Sequence, residues 1–594
     1  MRVTQKIVSP SVGRKEAPVQ EAAGEPLPPS VLHSFDALSW QSAVFAETLR
    51  RRALRALKPN WPRREVRLHV VRNQPFEFVE NAIGPFLSFA GIQARFTLGP
   101  YDDSVAQPTT GMPGDVDAVI VWLRFDHYGE LSPEELTGWL ADRVAAVRAE
   151  TAVPILVANW ASAEHSLQFN ARLSERLASE PGVRICDLCG ISRRLGDAYE
   201  DLRMEQVSGS PLSDQATLEV ARMFGLVWLP AVLLPPVKAV VCDLDNTLWA
   251  GILIEDGPEG IVVSEGHQQL QRTLLSLRDR GVFLALASKN DRSTVEQLFA
   301  RRGDLLLGLD DFSSIEIGWV SKAKSVANIA DDLRIGTDAL LFVDDNPGEL
   351  AEVAISVPGV HLLLAGDPAE TERCLRYYPG FDPWVASPAA AQRIGDLEVA
   401  RRRQEHLAVT RSGGTGDAAA YLAQLGTELR VGVDIQAAVA RLADLSGRVN
   451  QFNTAFRRLG EAEVAAYLAD PSKCTVVVDL RDRFSDSGVV AGAFARRGGD
   501  GELVVDEIVV SCRALGRDLE VVILAVLLRA AHECLGGEQV RIEFVTGPRN
   551  VPARTALETL VGRPVDDDTG VEWEWSEERV DELLASFPVE VFAL

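Results

Sequence analysis

An apolar run that ends in two closely spaced carboxylates constrains this chain more than any other feature. Residues 237–242 are β-branched and apolar apart from Lys238, which predicts a strand buried on both faces of a parallel sheet. Asp243 and Asp245 follow directly. Open α/β sheets bind ligands at the carboxyl ends of their strands. The pattern therefore favours an acidic site at a sheet edge, although an isolated Asp-x-Asp pair fits a solvated turn equally well.

Two later apolar runs end in groups that suit phosphate and a divalent cation. Residues 282–287 lead into a hydroxyl, a cation and an amide, carried by Ser288, Lys289 and Asn290. Residues 339–343 lead into a second acidic pair, Asp344 and Asp345. Carboxylates bind hard cations through oxygen, attack phosphorus and carry protons. The order of these groups along the chain is a far more specific sign of a phosphate and metal site than any one group alone.

A cation is needed to balance such a cluster of carboxylates. Lys322 and Lys324 open a predicted amphipathic helix that runs through Ile329 and Leu333. Either ammonium could neutralise the nucleophile and a bound phosphate. Only the distance from Trp319 favours Lys322, so both lysines remain candidates.

This order of motifs resembles the haloacid-dehalogenase (HAD) superfamily of aspartate-nucleophile phosphotransferases. Residues 243–249 read Asp-Leu-Asp-Asn-Thr-Leu-Trp, residues 288–291 Ser-Lys-Asn-Asp, and residues 342–347 Phe-Val-Asp-Asp-Asn-Pro. The sequences of these motifs resemble those of the FkbH-like branch of the superfamily, in subfamily IIIC. Where many relatives have Trp-Gly-Gly, this chain has Trp249, Ala250 and Gly251. That difference should leave the chemistry unchanged.

The resemblance implies a role for each matching residue. Asp243 is the implied nucleophile and magnesium ligand, and Asp245 the acid/base and a further candidate ligand. Asp345 is the second metal ligand, with Asp344 in the metal set or directly behind it. Ser288 and Lys322 are the implied phosphate clamps. Substrate contacts are expected from the remaining motif residues, Asn246, Thr247, Lys289 and Asn290.

Three further segments read Asn-Gln-Phe-Asn-Thr at 450–454, Asp-Arg-Phe-Ser-Asp-Ser-Gly at 482–488 and Ser-Cys-Arg-Ala-Leu-Gly-Arg at 511–517. They look like the C-terminal region of FkbH-like proteins, whose fold resembles the GNAT acyltransferases. Arg513 and Gly516 lie between a predicted strand and a predicted helix, where free N–H groups favour an anion such as the phosphate of a pantetheine arm. Asp518 replaces the final small residue of the usual coenzyme A pattern, which leaves coenzyme A itself open. We expect Cys512 to carry an acyl group, since nearby arginines and a helix N-terminus favour a thiolate. Cys242 is the alternative, but strand alternation points its side chain away from the face that Asp243 serves.

The fold class predicted is a multi-domain α/β protein. The family resemblance implies that a HAD-like Rossmannoid parallel sheet is flanked by an SGNH-like α/β domain and a GNAT-like α+β domain. The expected boundaries are a disordered arm at 1–28, the SGNH-like domain at 29–235, the HAD-like domain at 236–385, a helical connector at 386–428 and the GNAT-like domain at 429–594. The first predicted strand of the SGNH-like domain is followed by Asn73 rather than a nucleophilic serine, and no Asp-x-x-His appears near its end. We therefore expect that domain to bind or scaffold rather than catalyse.

Composition limits the kinds of partner that we expect this chain to bind. The chain of 594 residues is 46% hydrophobic, and its formal net charge of −25 argues against nucleic acid. Seven scattered cysteines and the lack of a signal peptide or an evident apolar span favour a cytoplasmic protein without a membrane partner.

The family resemblance implies a Mg²⁺-dependent phosphatase and glyceryl transferase of polyketide or related biosynthesis. Such an enzyme would take a small phosphorylated three-carbon acid, 1,3-bisphosphoglycerate, and load its glyceryl unit onto the phosphopantetheine thiol of an acyl carrier protein. A plain magnesium-dependent phosphatase and a non-catalytic carrier-docking protein are the alternatives.

Overall fold

The computed structural model describes residues 29–101, 113–128, 130–161, 166–382, 384, 426–483, 485–511, 513–515, 519–547, 549–565, 570–585, 587 and 589–594. The expected N-terminal arm and residues 386–425 of the expected connector lie outside them. The described residues form three sheets, of five, five and seven strands. The chain is thus a multi-domain α/β protein.

The first sheet is wholly parallel, with strand order β2-β1-β3-β4-β5. Its strands are β1 (Arg64–Arg72), β2 (Ile92–Tyr101), β3 (Ala118–Trp122), β4 (Ile155–Ala158) and β5 (Val183–Cys186). The helices are α1 (Pro29–Val44), α2 (Arg51–Ala56), α3 (Glu77–Phe89), α4 (Pro133–Glu150), α5 (Leu167–Leu177), α6 (Leu188–Leu195), α7 (Leu202–Ser208), α8 (Asp214–Arg222) and α9 (Leu229–Leu233). Sequence reasoning missed β2, because this edge strand is mostly half-exposed and lacks an apolar run. Whether the unit is SGNH-like stays a prediction, since a parallel α/β topology serves many families.

A π-helical segment, Met223–Trp228, joins α8 to α9. The resulting helix, Asp214–Leu233, is the one stretch among the described residues that is long and apolar enough to cross a membrane. However, 83% of its apolar window is buried inside the protein. Burial of that extent is typical of a core helix, and the sequence alone did not reveal this stretch.

The second sheet is also wholly parallel, with order β10-β9-β6-β7-β8. Its strands are β6 (Ala239–Cys242), β7 (Phe283–Ser288), β8 (Ser314–Ile317), β9 (Leu340–Asp344) and β10 (His361–Leu364). The helices are α10 (Leu253–Gly260), α11 (Glu265–Asp279), α12 (Arg292–Arg301), α13 (Lys322–Asp332), α14 (Pro347–Ser356) and α15 (Pro368–Tyr377). All four residues of β6 are buried, which confirms the expectation of a strand covered on both faces.

The third sheet is mainly antiparallel, with order β16-β15-β14-β13-β12-β11-β17. Only the β14–β15 and β11–β17 pairs are parallel. Its strands are β11 (Glu428–Val433), β12 (Lys473–Asp482), β13 (Ser485–Arg497), β14 (Leu503–Val510), β15 (Gln539–Ile542), β16 (Val571–Glu574) and β17 (Glu590–Ala593). The helices are α16 (Val439–Arg448), α17 (Glu461–Ala469), α18 (Glu520–Leu535), α19 (Val551–Val561) and α20 (Glu577–Ala585).

Apolar packing joins the first two units into one body. A single buried cluster extends from the first sheet to one face of the second, and the rings of Phe45, Phe89 and Tyr378 meet within it. Gln41 on α1 donates to the carbonyl of Leu364 at 2.6 Å and accepts from its N–H at 3.0 Å. This side chain therefore pairs the last residue of edge strand β10 as a neighbouring strand would.

Polar contacts connect the third unit to the other two. Arg184 on β5 forms an ion pair with Glu461 at 2.7 Å. Arg549 pairs with Asp338 at 3.0 Å, and Lys238 donates to the carbonyl of Arg448 at 3.0 Å. Both of the latter contacts lie at the amino-terminal edge of the second sheet, at the end of the strands opposite the acidic motifs.

Candidate functional site

The strand order of the second sheet creates a crevice at β6. Its neighbours are β7 on one side and β9 on the other. The order in which the chain adds strands to the sheet therefore reverses at β6. In open α/β sheets the crevice at such a switch point, beyond the carboxyl ends of the strands, is where ligands bind. Asp243 follows β6 directly, and Asp344 is the last residue of β9. The topology thus brings together two acidic motifs that are about a hundred residues apart in the sequence.

Lys322 occupies the centre of this crevice. Its Nζ lies 2.5 Å from Asp243 Oδ1 and 3.2 Å from Asp344 Oδ2, and it donates to the carbonyl of Ala287 at 2.5 Å. These three acceptors match the three N–H donors of an ammonium group. Lys324, the alternative from the sequence, is exposed on the same helix.

Lys322 lies at the N-terminus of its helix, where a positive charge is unfavourable. It is the first residue of α13, after the N-cap Ser321, and a helix N-terminus disfavours positive charge. Burial also acts to lower the pKa of Lys322, but the carboxylates of Asp243 and Asp344 outweigh it and raise that pKa. The side chain is therefore held charged by the two aspartates it joins.

The three carboxyls of the site all have raised pKa values. Burial raises the pKa of Asp243 to about 7; Lys322 opposes this shift, and the charge of Asp344 adds to it. Burial likewise raises the pKa of Asp344 against the pull of Lys322. It also raises the pKa of Asp345, although the side chain of Asn246 hydrogen-bonds to that carboxylate and opposes the shift. One ammonium is thus too little positive charge for this cluster.

The donor set fits a divalent cation. One oxygen from each of Asp243, Asp344 and Asp345 can be chosen so that all three lie within 4.8 Å of one another. Carboxylate oxygens are the ligands that Mg²⁺ prefers, and a bound cation would lower the pKa values that burial has raised. Asp344 therefore belongs to the acidic group itself, where the sequence left its place open. Asp245, also expected to be a ligand, is not part of this group.

Asp245 is instead fixed by three donors. Its Oδ1 accepts from the indole N–H of Trp249 at 3.1 Å and from the N–H of Leu253 at 3.0 Å. Its Oδ2 accepts from the Asn290 amide at 2.8 Å. These bonds set the orientation of the carboxyl two residues after Asp243, which is what a residue that passes protons to a leaving group requires.

Small polar groups complete the crevice. Ser288, at the end of β7, accepts from the amide of Asn290 at 3.1 Å, which leaves its own proton available to an anion. The hydroxyl of Thr247 is buried, with no hydrogen-bond partner among the described residues. A buried hydroxyl left unpaired is costly, and a phosphate oxygen would satisfy it. The expected contacts of Ser288 and Thr247 with a phosphate stay predictions.

Lys289 and Asn246 have other tasks in the structure. The ammonium of Lys289 is paired with Glu349 on α14 at 2.5 Å. Asn246 adopts a left-handed backbone with φ 52°, which asparagine tolerates better than most residues. Its Oδ1 accepts from the N–H of Gly251 at 3.0 Å. The expected substrate contacts of both residues stay predictions.

The C-terminal motif is only partly visible. Cys512 and Gly516 lie outside the described residues, so the proposed acyl-carrying thiol and its turn stay predictions. Arg513 donates to the carbonyl of Ser487 at 3.3 Å and lines a cavity against the second unit. Cys242 is buried in the core, and burial, with the charge of Asp243, raises its pKa to about 12. That environment disfavours a thiolate nucleophile.

The corresponding edge of the first sheet is closed by its own side chains. Asn73, after β1, donates to the carbonyl of Arg124 at 2.9 Å and accepts from its N–H at 2.6 Å. The adjoining cavity has a volume of only about 30 Å³. Asn73 occupies the region after the first strand, where the sequence shows no nucleophilic serine. Its side-chain contacts with the backbone of Arg124 give it a structural role. A scaffolding role for this unit stays a prediction.

Sequence reasoning missed the groups that orient the site. The indole of Trp249 and the carbonyl of Ala287 were assigned no role, although Trp249 belongs to the first motif. A tryptophan four residues after an aspartate at a strand end could have indicated such a bond. Nothing in the sequence points to the carbonyl of Ala287, because it lies 35 residues from its donor, Lys322.

No family model and no curated protein matches this chain. Among solved structures, the N-terminal part of the Bacteroides fragilis protein BF1531, containing a phosphatase domain complexed with Mg, is 22% identical; the match covers 59% of this chain and 98% of that one, with a TM-score of 0.45. A HAD family enzyme from Bacteroides thetaiotaomicron, a mutant complexed with magnesium and inorganic phosphate, is 13% identical over 22% of this chain and 95% of its own, with a TM-score of 0.16. The aminoglycoside acetyltransferase AAC(6')-Ib with coenzyme A is 14% identical over 26% of this chain and 98% of its own, with a TM-score of 0.19. With TM-scores below 0.5, the chemistry must come from the geometry of the site itself.

Proposed function

We propose that this protein is a Mg²⁺-dependent phosphatase or phosphotransferase of the aspartate-nucleophile type. The observation that carries the proposal is the buried group of Asp243, Lys322 and Asp344 at the switch point of a parallel sheet, with Asp345 beside it. Such a group combines a nucleophile, a fixed cation and a set of oxygen ligands. Carboxylate oxygens are the ligands that Mg²⁺ prefers, which supports this choice of metal.

Each residue has a defined task in the proposed reaction. Asp243, Asp344 and Asp345 would hold a Mg²⁺ ion, which would supply positive charge to the phosphoryl oxygens. Asp243 attacks phosphorus, so that an Asp243–phosphorus bond forms while the bond to the leaving oxygen breaks. Asp245 donates a proton to that oxygen, then accepts one from the water that hydrolyses the aspartyl phosphate. Lys322 keeps its proton and holds Asp243 in place.

The resemblance of the sequence to FkbH-like proteins supports a narrower proposal. The phosphorylated substrate would be a three-carbon acid, 1,3-bisphosphoglycerate, and the acceptor the phosphopantetheine thiol of an acyl carrier protein in the cytoplasm. A thiolate attacks the acyl carbonyl, a thioester forms and phosphate leaves. Cys512 is the proposed carrier of that thioester within the chain. Polyketide or related biosynthesis is the setting that the same resemblance suggests.

The first experiment measures phosphate release from a panel of phosphorylated three-carbon acids, with and without Mg²⁺. Release that requires Mg²⁺ and disappears in Asp243→Asn would support the general proposal. Equal release by the variant, or none from any substrate, would contradict it. The same incubations with a carrier protein, read by intact-protein mass, test the narrower proposal. Phosphate release without added mass on the carrier would favour a plain phosphatase.

A further inference from the structure

A cavity of about 410 Å³ lies between the second and third units. Lys238 and Phe283, at the amino-terminal starts of β6 and β7, line one wall together with the end of α13. The other wall comes from α16 and from the loop that follows it, residues 449–451. Lys238 and Asp243 flank the same strand. At about 3.3 Å per residue, five steps place them roughly 16 Å apart, so this cavity is separate from the acidic crevice.

Positive charge is concentrated in the cavity. Two carboxylates line it against six cationic side chains, of which Arg549 is paired with Asp338. The six are Lys238, Arg334, Arg441, Arg448, Arg513 and Arg549. The protein as a whole carries a formal net charge of −25, so the local excess opposes the general trend. A concave site lined by one sign of charge attracts ligands of the other sign.

Two arginines on the third-unit wall share one carboxylate. Arg441 lies 2.6 Å from Asp444, and Arg448 pairs with that same carboxylate. Burial lowers the pKa of Arg441, and the nearby charges of Arg513 and Arg448 add to that effect while Asp444 opposes it. One carboxylate thus serves two guanidinium groups, and a third stands close to them. An anion in the cavity would relieve this repulsion.

Arg334 contributes a cation from the second unit at a position unfavourable for arginine. It follows α13 with a left-handed backbone, φ 55°, where glycine or asparagine is the usual residue. Arg334 lines the cavity, and no ion pair of its guanidinium is seen within the described parts of the chain. Its presence there is explained if the guanidinium serves the cavity.

Apolar groups complete the walls. Phe283 and Leu333 from the second unit and Leu445 and Val449 from the third are among the residues that line the cavity. A volume of this size is in the range of small-molecule sites, and a mixture of guanidinium and apolar surface suits a ligand with both characters. Guanidinium groups bind phosphate oxygens by paired hydrogen bonds.

We propose that this cavity binds an organic phosphate, with the phosphate held by the arginines and an uncharged organic portion against the apolar walls. Because both units contribute cations, the occupied cavity joins the second unit to the third. The proposal is independent of the chemistry at Asp243. Pantetheine phosphates and nucleotides share the required features, and the experiment below distinguishes them.

The test is isothermal titration calorimetry on the full-length protein, without Mg²⁺. The probes are 4′-phosphopantetheine, ATP, inorganic phosphate and pantetheine, which lacks phosphate. Phosphopantetheine or ATP should bind, more weakly at high salt, and pantetheine should not. Whichever of the two binds more tightly identifies the source of the phosphate. Asp243→Asn should bind as the wild type does, which separates this test from that of the proposed function.

Two variants locate the binding. Arg334→Asn suits the left-handed backbone and removes one cation, and Arg448→Gln removes another. Each should weaken binding about ten-fold or more, the range expected for a lost charged hydrogen bond, while thermal melting shows that the fold is kept. Arg301→Asn, an exposed arginine at the end of α12, is the matched control and should bind as the wild type does.

Several results would overturn the proposal. They are no binding of any organic phosphate, equal binding of pantetheine and phosphopantetheine, or wild-type affinity in both cavity variants. Binding of inorganic phosphate alone would reject the organic portion of the ligand.

Discussion

Replacement of Lys322 by methionine tests the central claim about the acidic crevice. Lys322 is 3% exposed and contacts Asp243, Asp344 and the carbonyl of Ala287 at 2.5, 3.2 and 2.5 Å. Methionine has a similar length and no charge, so the change leaves two buried carboxylates without their cation. Breaking a buried ion pair on one side costs about 3–5 kcal/mol. For a unit of this size, about 2–4 °C per kcal/mol, the melting temperature should fall by roughly 6–20 °C.

The loss should depend on pH in a defined direction. The pKa of Asp243 is about 7 in the folded protein against an ordinary 3.8, so the folded state binds this proton more tightly than the unfolded state. Its contribution to stability therefore falls as pH rises between those two values. Without Lys322, which opposes the shift, the pKa of Asp243 should rise further. Relative to the wild type, Lys322→Met should thus lose less stability at about pH 5 than at about pH 8.

The assay is differential scanning calorimetry in EDTA at both pH values, and then with Mg²⁺. Lys324→Met is the matched control, because Lys324 is exposed two residues away on the same helix; it should change stability by about 0.5 kcal/mol or less. Added Mg²⁺ should restore part of the stability of Lys322→Met. Equal melting of the two variants, or a loss that does not change with pH, would refute the account of this crevice.

Three further predictions concern the proposed chemistry. Asp243→Asn is nearly isosteric and should abolish phosphate release while circular dichroism stays unchanged; release at the wild-type rate would remove Asp243 as nucleophile. Mg²⁺ at a hundred times its dissociation constant should stabilise the wild type by about 2.7 kcal/mol and Asp345→Asn by clearly less, measured by thermal melting; equal gains would place the metal elsewhere. Trp249→Phe keeps the ring but loses the hydrogen bond to Asp245. It should lower kcat about ten-fold for substrates with poor leaving groups and less for good ones, and a uniform effect would argue against proton transfer by Asp245.

The strand ends of the second unit were predictable because they depend on local pattern. Continuous apolar runs mark strands buried on both faces, and the polar residues that follow them must lie at the carboxyl edge of the sheet. The observed β6, β7 and β9 end within one residue of the predicted ends. This accounts for the placement of Asp243, Ser288 and Asp344 at one edge. Edge strand β2 escaped prediction because a half-exposed strand carries no such run.

The choice between two nearby lysines required the tertiary structure. Lys322 and Lys324 both lie in the first turn of α13, and the helical pattern places neither of them at a particular strand. Packing of the helix against the sheet decides which ammonium meets the aspartates. The same holds for Lys289, which the sequence placed near phosphate and the structure pairs with Glu349. The direction in which a side chain points at the end of a helix or strand depends on how that element packs against its neighbours.

By itself, the sequence determined where β6, β7 and β9 end and which polar groups follow each of them. Each of these follows from residues within about ten positions of one another. Only the tertiary structure decided that Lys322 and not Lys324 joins Asp243 to Asp344, and that Lys238 donates to the carbonyl of Arg448 in the third unit. Those contacts join residues up to 210 positions apart. Local periodicity carries no information about such distances, because they are set by how finished elements pack.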